Sequence, residues 1–323
     1  MSAASAFPHD PDALRALSGD LRQLASVRRI VLDEGAERGV RALAFSSGGG
    51  LDFWALSDRA LDIGPLWWRG TPLAWQHPGG FSAPALHGAD ADNGTGIERS
   101  LSGFLVTCGL ANARQPRAGY PLHGSLPLRP ARVTLCRERW DVPIPRLEAE
   151  GEIVDAHLSR HAFRLHRRIE VPIGGCELTL HDRVENIGPS SAAMMILYHT
   201  NLGYPCIDTE ARVTVDGREI HREETLADGV GTSSSIDCHR LGGDGRSAIE
   251  LTGGASSVPV LVDADVRSLP YLQIWRDTRP GRNVLAIEPG NCARAEDGKS
   301  LPGRPLEPGE SWSTRLRYRF GSP

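Results

Sequence analysis

Residues 194–205 read MMILYHTNLGYP. The stretch opens as an uninterrupted apolar run, the pattern of a strand buried on both faces. It then turns polar at His199, Thr200 and Asn201, and Gly203 and Pro205 close it. A histidine at the end of such a strand is held rigidly and half desolvated. That suits a satisfied core side chain or an acid–base catalyst. Two distant segments have the same form. Residues 120–124, YPLHG, carry His123, and residues 284–291, VLAIEPGN, run apolar into Glu288 before Pro289 and Gly290. Together they predict that His123, His199 and Glu288 converge on one cleft.

Immediately upstream, residues 148–186 carry the clearest antiparallel pattern in the chain. In HAFRLHRRIEV, the side chains of His161, Phe163, Leu165, Arg167, Ile169 and Val171 share one face, and Ala162, Arg164, His166, Arg168 and Glu170 share the other. A turn at Ile173-Gly174-Gly175 leads into CELTLHDRVENIG, where Glu177, Thr179, His181, Arg183 and Glu185 alternate with Leu178, Leu180, Asp182 and Val184. One face is therefore solvated, and His157, His161, His166 and His181 read as sheet-surface residues. This pair of strands feeds the buried strand that ends in His199.

Further out, VRRIVLDEG, GVRALAFSSGGG and LDFWALSDRALDIG give early strands, and VPVLVDAD, PYLQIWRD and SWSTRLRYRF give late ones. The 36 glycines and 23 prolines punctuate many short strands. Strand nowhere alternates regularly with helix, which excludes a parallel α/β sheet. The best helix lies at residues 10–24, where Asp10 or Asp12 can cap and Leu14, Leu17, Leu21 and Leu24 recur at helical spacing. Residues 1–26 are thus expected to form a helical appendage on the outside of one β-domain, residues 27–323. Residues 79–119 read as irregular connecting chain around the short apolar stretch GFLVTCGL (103–110). The Pro-Leu-His-Gly sequence is expected to hold His123 in extended backbone, with Gly124 permitting close approach of another segment.

The totals narrow the function classes. A net charge of −4 argues against nucleic acid or an anionic membrane held by bulk charge. No apolar run approaches a membrane span. The start, MSAASAFPHDPDALRAL, has neither the basic segment nor the apolar core of an export signal. The six cysteines are widely spaced, with no metal-finger pattern. They are expected as reduced thiols in a cytoplasmic protein. No phosphate loop or dinucleotide fingerprint is present.

The motifs DRALDIG with GTPLAW (58–75), YPLHG (120–124), DRVENIG (182–188), LYHTNLGYP (197–205), YLQIW (271–275) and IEPGN (287–291), in this order, resemble the aldose-1-epimerase (galactose mutarotase-like) superfamily. The likeness spans roughly residues 27–320 and is closest to an uncharacterised bacterial branch. It implies an all-β fold, a large antiparallel β-sandwich or supersandwich. It also implies His199 as general acid, Glu288 as general base and His123 as a substrate-binding histidine. Arg59 matches by position an arginine that contacts the sugar, and Gln273 and Trp275 lie on a strand resembling one that lines the pocket. Asn201, two residues beyond His199, joins the substrate-binding set. The sequence departs from the better-known mutarotases where Thr-Asn-Leu-Gly follows His199 and Pro-Gly-Asn follows Glu288.

The implied activity is a 1-epimerase that interconverts sugar anomers without cofactor or metal. Two alternatives stand beside it. One is another isomerase, epimerase or lyase on the same scaffold, metal-assisted if the two histidines and the glutamate converge within bonding distance. The other is a carbohydrate-binding protein without turnover. Arg59 between Asp58 and Asp62 also reads as a structural ion pair, and Glu288 as a partner for Arg59 or Arg276. One of Trp67, Trp68 and Trp75 is expected in the cleft, stacking on a sugar's C–H face. No basic cluster is apparent beside the three motifs, so the expected ligand is a neutral free monosaccharide, with a homodimer an open option.

Overall fold

The computed structural model describes residues 10–208, 210–223, 234–243, 245–253 and 258–321. Among them three large sheets form, all with antiparallel neighbours. A nine-stranded sheet runs in the order 218–222, 212–215, 246–252, 260–265, 311–320, 177–186, 161–172, 146–157, 132–139. A five-stranded sheet from the early strands spans Ser26–Val31 to Thr71–Pro72. A second five-stranded sheet, in the order Ser234–Arg240, Tyr271–Asp277, Val284–Gly290, Met195–Leu202, Leu105–Leu110, carries the candidate site. This is the expected β-sandwich. Among the described residues no helix is long and apolar enough to cross a membrane.

Every residue of Met195–Leu202 is buried, as its unbroken apolar opening requires. Period-2 alternation gives its two faces different work. Ile196, Tyr198 and Leu202 enter the main core with Leu165, Leu180, Leu316 and Phe320 of the large sheet. On that side the Tyr198 hydroxyl donates to Asp182 at 2.7 Å, and Thr200 bonds Tyr318 at 2.8 Å. Met195 and Leu197 lie on the opposite face with Val106, Cys108, Ala113 and Cys292. His199 and Asn201 follow on that second face by parity.

The alternation in 161–171 appears as predicted, with one surprise on the buried side. Arg167 is only 1 % exposed. Its guanidinium bonds Asp182 at 2.9 and 2.7 Å, Asp62 at 2.7 Å and Thr107 at 2.8 Å. A charge this deep is tolerable because every arm meets an acceptor. The network ties the large sheet to the strand that begins at Asp62 and to the one containing Thr107.

Helix formation at the N-terminus is shorter than its leucine spacing predicts. The α-helix is Pro11–Leu17, capped by the Asp10 carboxylate accepting from the Asp12 backbone N–H at 3.0 Å. It stops at Ser18, whose N–H and hydroxyl both bond Leu14 O. A 3₁₀ turn, Leu21–Gln23, follows. Leu14 and Leu21 join the main core, whereas Leu17 is 82 % exposed. The segment is therefore docked on the body through two leucines. All six cysteines are free.

Candidate active site

Strand register builds the floor of the site. Gln273 pairs directly with Glu288, and Cys238 with Gln273. The register that pairs Leu197 with Gly290 and Thr200 with Ile287 sets His199 opposite Glu288, and His199 pairs in turn with Val106. One row across five strands thus reads Val106, His199, Glu288, Gln273, Cys238. Directly opposed residues of neighbouring strands stand about 4.5–5.5 Å apart, so three polar side chains emerge side by side. Trp275 stands one position on from Gln273 along the same face, its ring 5.5 Å from that of His199.

Hydrogen bonds fix how these groups present themselves. The Asn201 amide donates from Nδ2 to Gly103 O at 3.1 Å, which turns its Oδ1 to His199 Nδ1 at 2.6 Å. An oxygen there requires the hydrogen on Nδ1, so Nε2 of the neutral ring is a lone pair. That Nε2 lies 3.3 Å from Glu288 Oε1. The two are close but not aligned to bond, and Oε1 is buried without a partner. The other oxygen, Oε2, accepts from Gln273 Nε2 at 2.6 Å. Gln273 Oε1 accepts from Arg114 Nε at 3.0 Å.

The wall comes from the segment 111–124. Asn112, fully buried, donates from its amide to Arg114 O, Gln115 O and Pro121 O. This holds the loop in a tight coil that brings Arg114 and His123 over the sheet. His123 is not extended, as expected, but sits at φ 61° in a turn; histidine is among the residues that enter this region. The close approach predicted at Gly124 is real: a Cβ there would lie 2.1 Å from Gly109 O. His123 Nδ1 faces Ala113 O at 3.1 Å, so its Nε2 is also a lone pair. Its ring meets that of His199 edge-on, with centroids 5.2 Å apart.

These residues enclose a cavity of about 290 Å³, at the lower end of the range for small-ligand sites. Trp75, Leu122, His123, His199, Gln273, Trp275 and Glu288 all line it. Burial dominates the electrostatics. It raises Glu288 to about 8, opposed by Arg114 and the Gln273 hydrogen bond. It lowers His199 to about 3, reinforced by His123 and opposed by the bond to Asn201. It lowers His123 to about 4. At neutral pH the site therefore holds a protonated carboxyl beside an unprotonated imidazole.

His123, His199, Glu288, Gln273 and Trp275 thus all line one cavity. Asn201 lies behind His199 instead of on the cavity, so it positions the ring. Arg59 is not on the cavity. It is 1 % exposed, and its Nη2 donates to Ser100 O at 2.6 Å. Nor is it the expected ion pair, since Asp58 binds Arg41 and Asp62 binds Arg167. Glu288 pairs with neither Arg59 nor Arg276; the latter binds Glu223. Of the three tryptophans, Trp75 reaches the cavity. Among the described residues no group of three or more His, Cys, Asp or Glu has metal-holding geometry.

Sequence reasoning missed Arg114 and the other arginines of the wall, Arg279, Arg282 and Arg294. Arg114 lay in what read as connecting chain. Arg282 and Arg294, however, stand six residues before and six after Glu288, a signal that was available. The expectation that no basic cluster accompanies the motifs is therefore overturned.

The fold is a mutarotase-like β-sandwich. A Klebsiella pneumoniae protein provisionally named an aldose 1-epimerase is similar in structure at TM-score 0.77 and 18 % identity, covering 91 % of this chain and 83 % of that one. A galactose 1-epimerase from Lactobacillus acidophilus NCFM is similar at TM-score 0.56 and 10 % identity, covering 92 % and 100 %. A galactose mutarotase-like protein from Lactobacillus casei is similar at TM-score 0.56 and 13 % identity, covering 86 % and 99 %. At such identities the likeness is one of fold. The chain belongs to the family described as a domain of unknown function, DUF4432, which matches residues 37–320. A search by sequence finds no significant match among curated proteins.

Proposed function

We propose that this protein is an aldose 1-epimerase, accelerating exchange between the α and β anomers of a sugar. The observation that carries the reading is the apposition of His199 Nε2 and Glu288 Oε1, 3.3 Å apart on the floor of a small cavity. One is a proton acceptor and the other, with its value raised to about 8, a proton donor. Anomer exchange needs one of each.

In the ring-opening step an acceptor takes the hydroxyl proton from O1 while a donor protonates the ring oxygen. The bond from C1 to the ring oxygen breaks and the C1–O1 double bond forms. Rotation about C1–C2 presents the other face of the aldehyde. The ring recloses as the two protons return. The family resemblance gives the donor role to His199 and the acceptor role to Glu288. Because burial raises Glu288 to about 8 and keeps the proton there, we assign the first donation to Glu288 and the first acceptance to His199 Nε2. On reclosure the roles reverse: protonated His199 returns its proton to O1 and the Glu288 carboxylate takes back the proton from the C5 hydroxyl. In this reading His123 Nε2 binds a sugar hydroxyl and Trp275 or Trp75 stacks on the ring's C–H face, roles supported by their lining the cavity.

Saturation-transfer NMR between anomeric protons, over a panel of free sugars, tests the proposal. Accelerated exchange that falls by about 10²–10⁴ in Glu288→Gln supports it. Undiminished exchange in a folded Glu288→Gln protein sinks it.

A further inference from the structure

The cavity's charge is unevenly distributed between its two ends. The strands Tyr271–Asp277 and Val284–Gly290 are antiparallel, so the loop joining them lies at one end and the chain beyond Gly290 at the other. At the first end Arg279 binds Asp277 at 2.9 and 2.6 Å, and Arg282 approaches the same carboxylate at 3.3 Å. Glu98 also lines the cavity and acts on Arg279. Two guanidiniums there face two carboxylates, and that end is balanced.

The second end is not. Arg114 is only 3 % exposed, and its hydrogen bonds go to neutral groups: Gln273 Oε1 at 3.0 Å, Cys292 O at 3.0 Å, Cys292 Sγ at 3.2 Å and Ala293 O at 3.4 Å. Among the described residues its Nη2 meets no acceptor. Arg294 lines the same end near Gly298. It acts on Glu288, Cys238 and Asp297 only through its field, and the Asp297 carboxylate is already paired with Lys299 at 2.6 Å. A nearly buried guanidinium without a carboxylate is costly in an empty protein. Glu288, on which both arginines act through their field, is raised by burial to about 8 and does not bond Arg114.

We infer that the ligand is an anionic aldose whose charged group docks between Arg114 Nη2 and Arg294. The inference rests on the anomer-exchange reading above and adds a substrate class to it. The position of the two arginines also says which part of the sugar carries the charge. Arg114 holds Gln273, and Gln273 holds Glu288, the donor assigned to the ring oxygen. The ring oxygen of a pyranose joins C1 to C5. A substituent on C5 therefore lies on the same side as that donor, where Arg114 and Arg294 stand. A hexuronate, with its carboxylate on C5, and a hexose 6-phosphate, with its phosphate one carbon further, share this chemistry. Guanidinium is suited to both, because its planar fork matches either anion.

The test compares glucose and galactose with glucuronate, galacturonate and the two hexose 6-phosphates, at constant ionic strength. Exchange is read by saturation-transfer NMR, and binding to Glu288→Gln by calorimetry. The expected result is a kcat/KM at least tenfold higher for a uronate or a 6-phosphate than for its neutral parent. Arg294→Gln should shrink that preference about tenfold, and Arg294→Lys should retain part of it. The preferred anion identifies carboxylate or phosphate. Neutral parents exchanged as fast or faster would overturn the inference and leave the 1-epimerase reading standing. Tighter binding of anionic sugars with no exchange of any sugar would sustain the inference and remove the reaction. Neither exchange nor an anionic preference in binding would overturn both.

Discussion

Asn201→Leu isolates how the histidine is presented. The substitution keeps side-chain size while deleting both amide contacts: the 2.6 Å bond to His199 Nδ1 and the 3.1 Å bond to Gly103 O. A buried Nδ1–H without an acceptor costs about 1–3 kcal/mol. The ring escapes that cost by moving its hydrogen to Nε2, where the unpartnered Oε1 of Glu288 lies 3.3 Å away. The proton acceptor of the resting site is thereby lost. A tautomer preference of about 1–3 kcal/mol corresponds to roughly 5- to 150-fold in population, and kcat should fall by a similar factor. KM should change little, since Asn201 is fully buried and does not line the cavity. The assay is anomer exchange against sugar concentration, paired with histidine ¹⁵N NMR to read the tautomer. A folded variant whose ring has switched tautomer but whose kcat stays within twofold of the parent refutes Nε2 as the acceptor.

Three further outcomes are expected. Glu288 is raised from 4.5 to about 8 in the folded chain, so the native state binds the extra proton between those values and stability drops as pH climbs through them. Glu288→Gln should flatten that part of a plot of Tm against pH; an unchanged slope would contradict a buried neutral carboxyl. Arg167→Met strands Asp62 and Asp182 together in the core and should cost about 3–5 kcal/mol in chemical denaturation; a loss below about 1 kcal/mol would mean that the network is not the tie described. Gly124→Ala, at φ 73° with its Cβ 2.1 Å from Gly109 O and 2.3 Å from Asn112 O, should destabilise by more than about 2 kcal/mol, and a variant as stable as the parent would refute the close approach.

Periodicity made the strands legible because each face has one neighbour for most of its length. The apolar run 194–198 and the alternation of 161–171 could be read without knowing their partners. Glu288 and His199 were legible for a related reason: each is a polar residue where a buried strand meets glycine and proline, and the sheet's register then aligned them. Arg114 was opaque. Its place depends on Asn112 drawing three carbonyls together in a loop, and no periodic signal encodes a loop's fold. Arg59 misled because being flanked by Asp58 and Asp62 says nothing about which residues they meet. Asp58 turns to Arg41, and Asp62 to Arg167, 105 positions away. The helix over 10–24 failed at Ser18, whose hydroxyl competes for the Leu14 carbonyl.

The two faces of Met195–Leu202 answer to different constraints. Tyr198 and Thr200 are moored to the large sheet through Asp182 and Tyr318, so the backbone is held from behind. The side chains that emerge in front, His199 and its cross-strand neighbours Glu288 and Gln273, carry none of that mooring. Their hydrogen bonds run instead among themselves, to Asn201 and to Arg114 of the wall. The contacts that anchor the strand and the groups proposed to do the chemistry thus sit on its opposite sides.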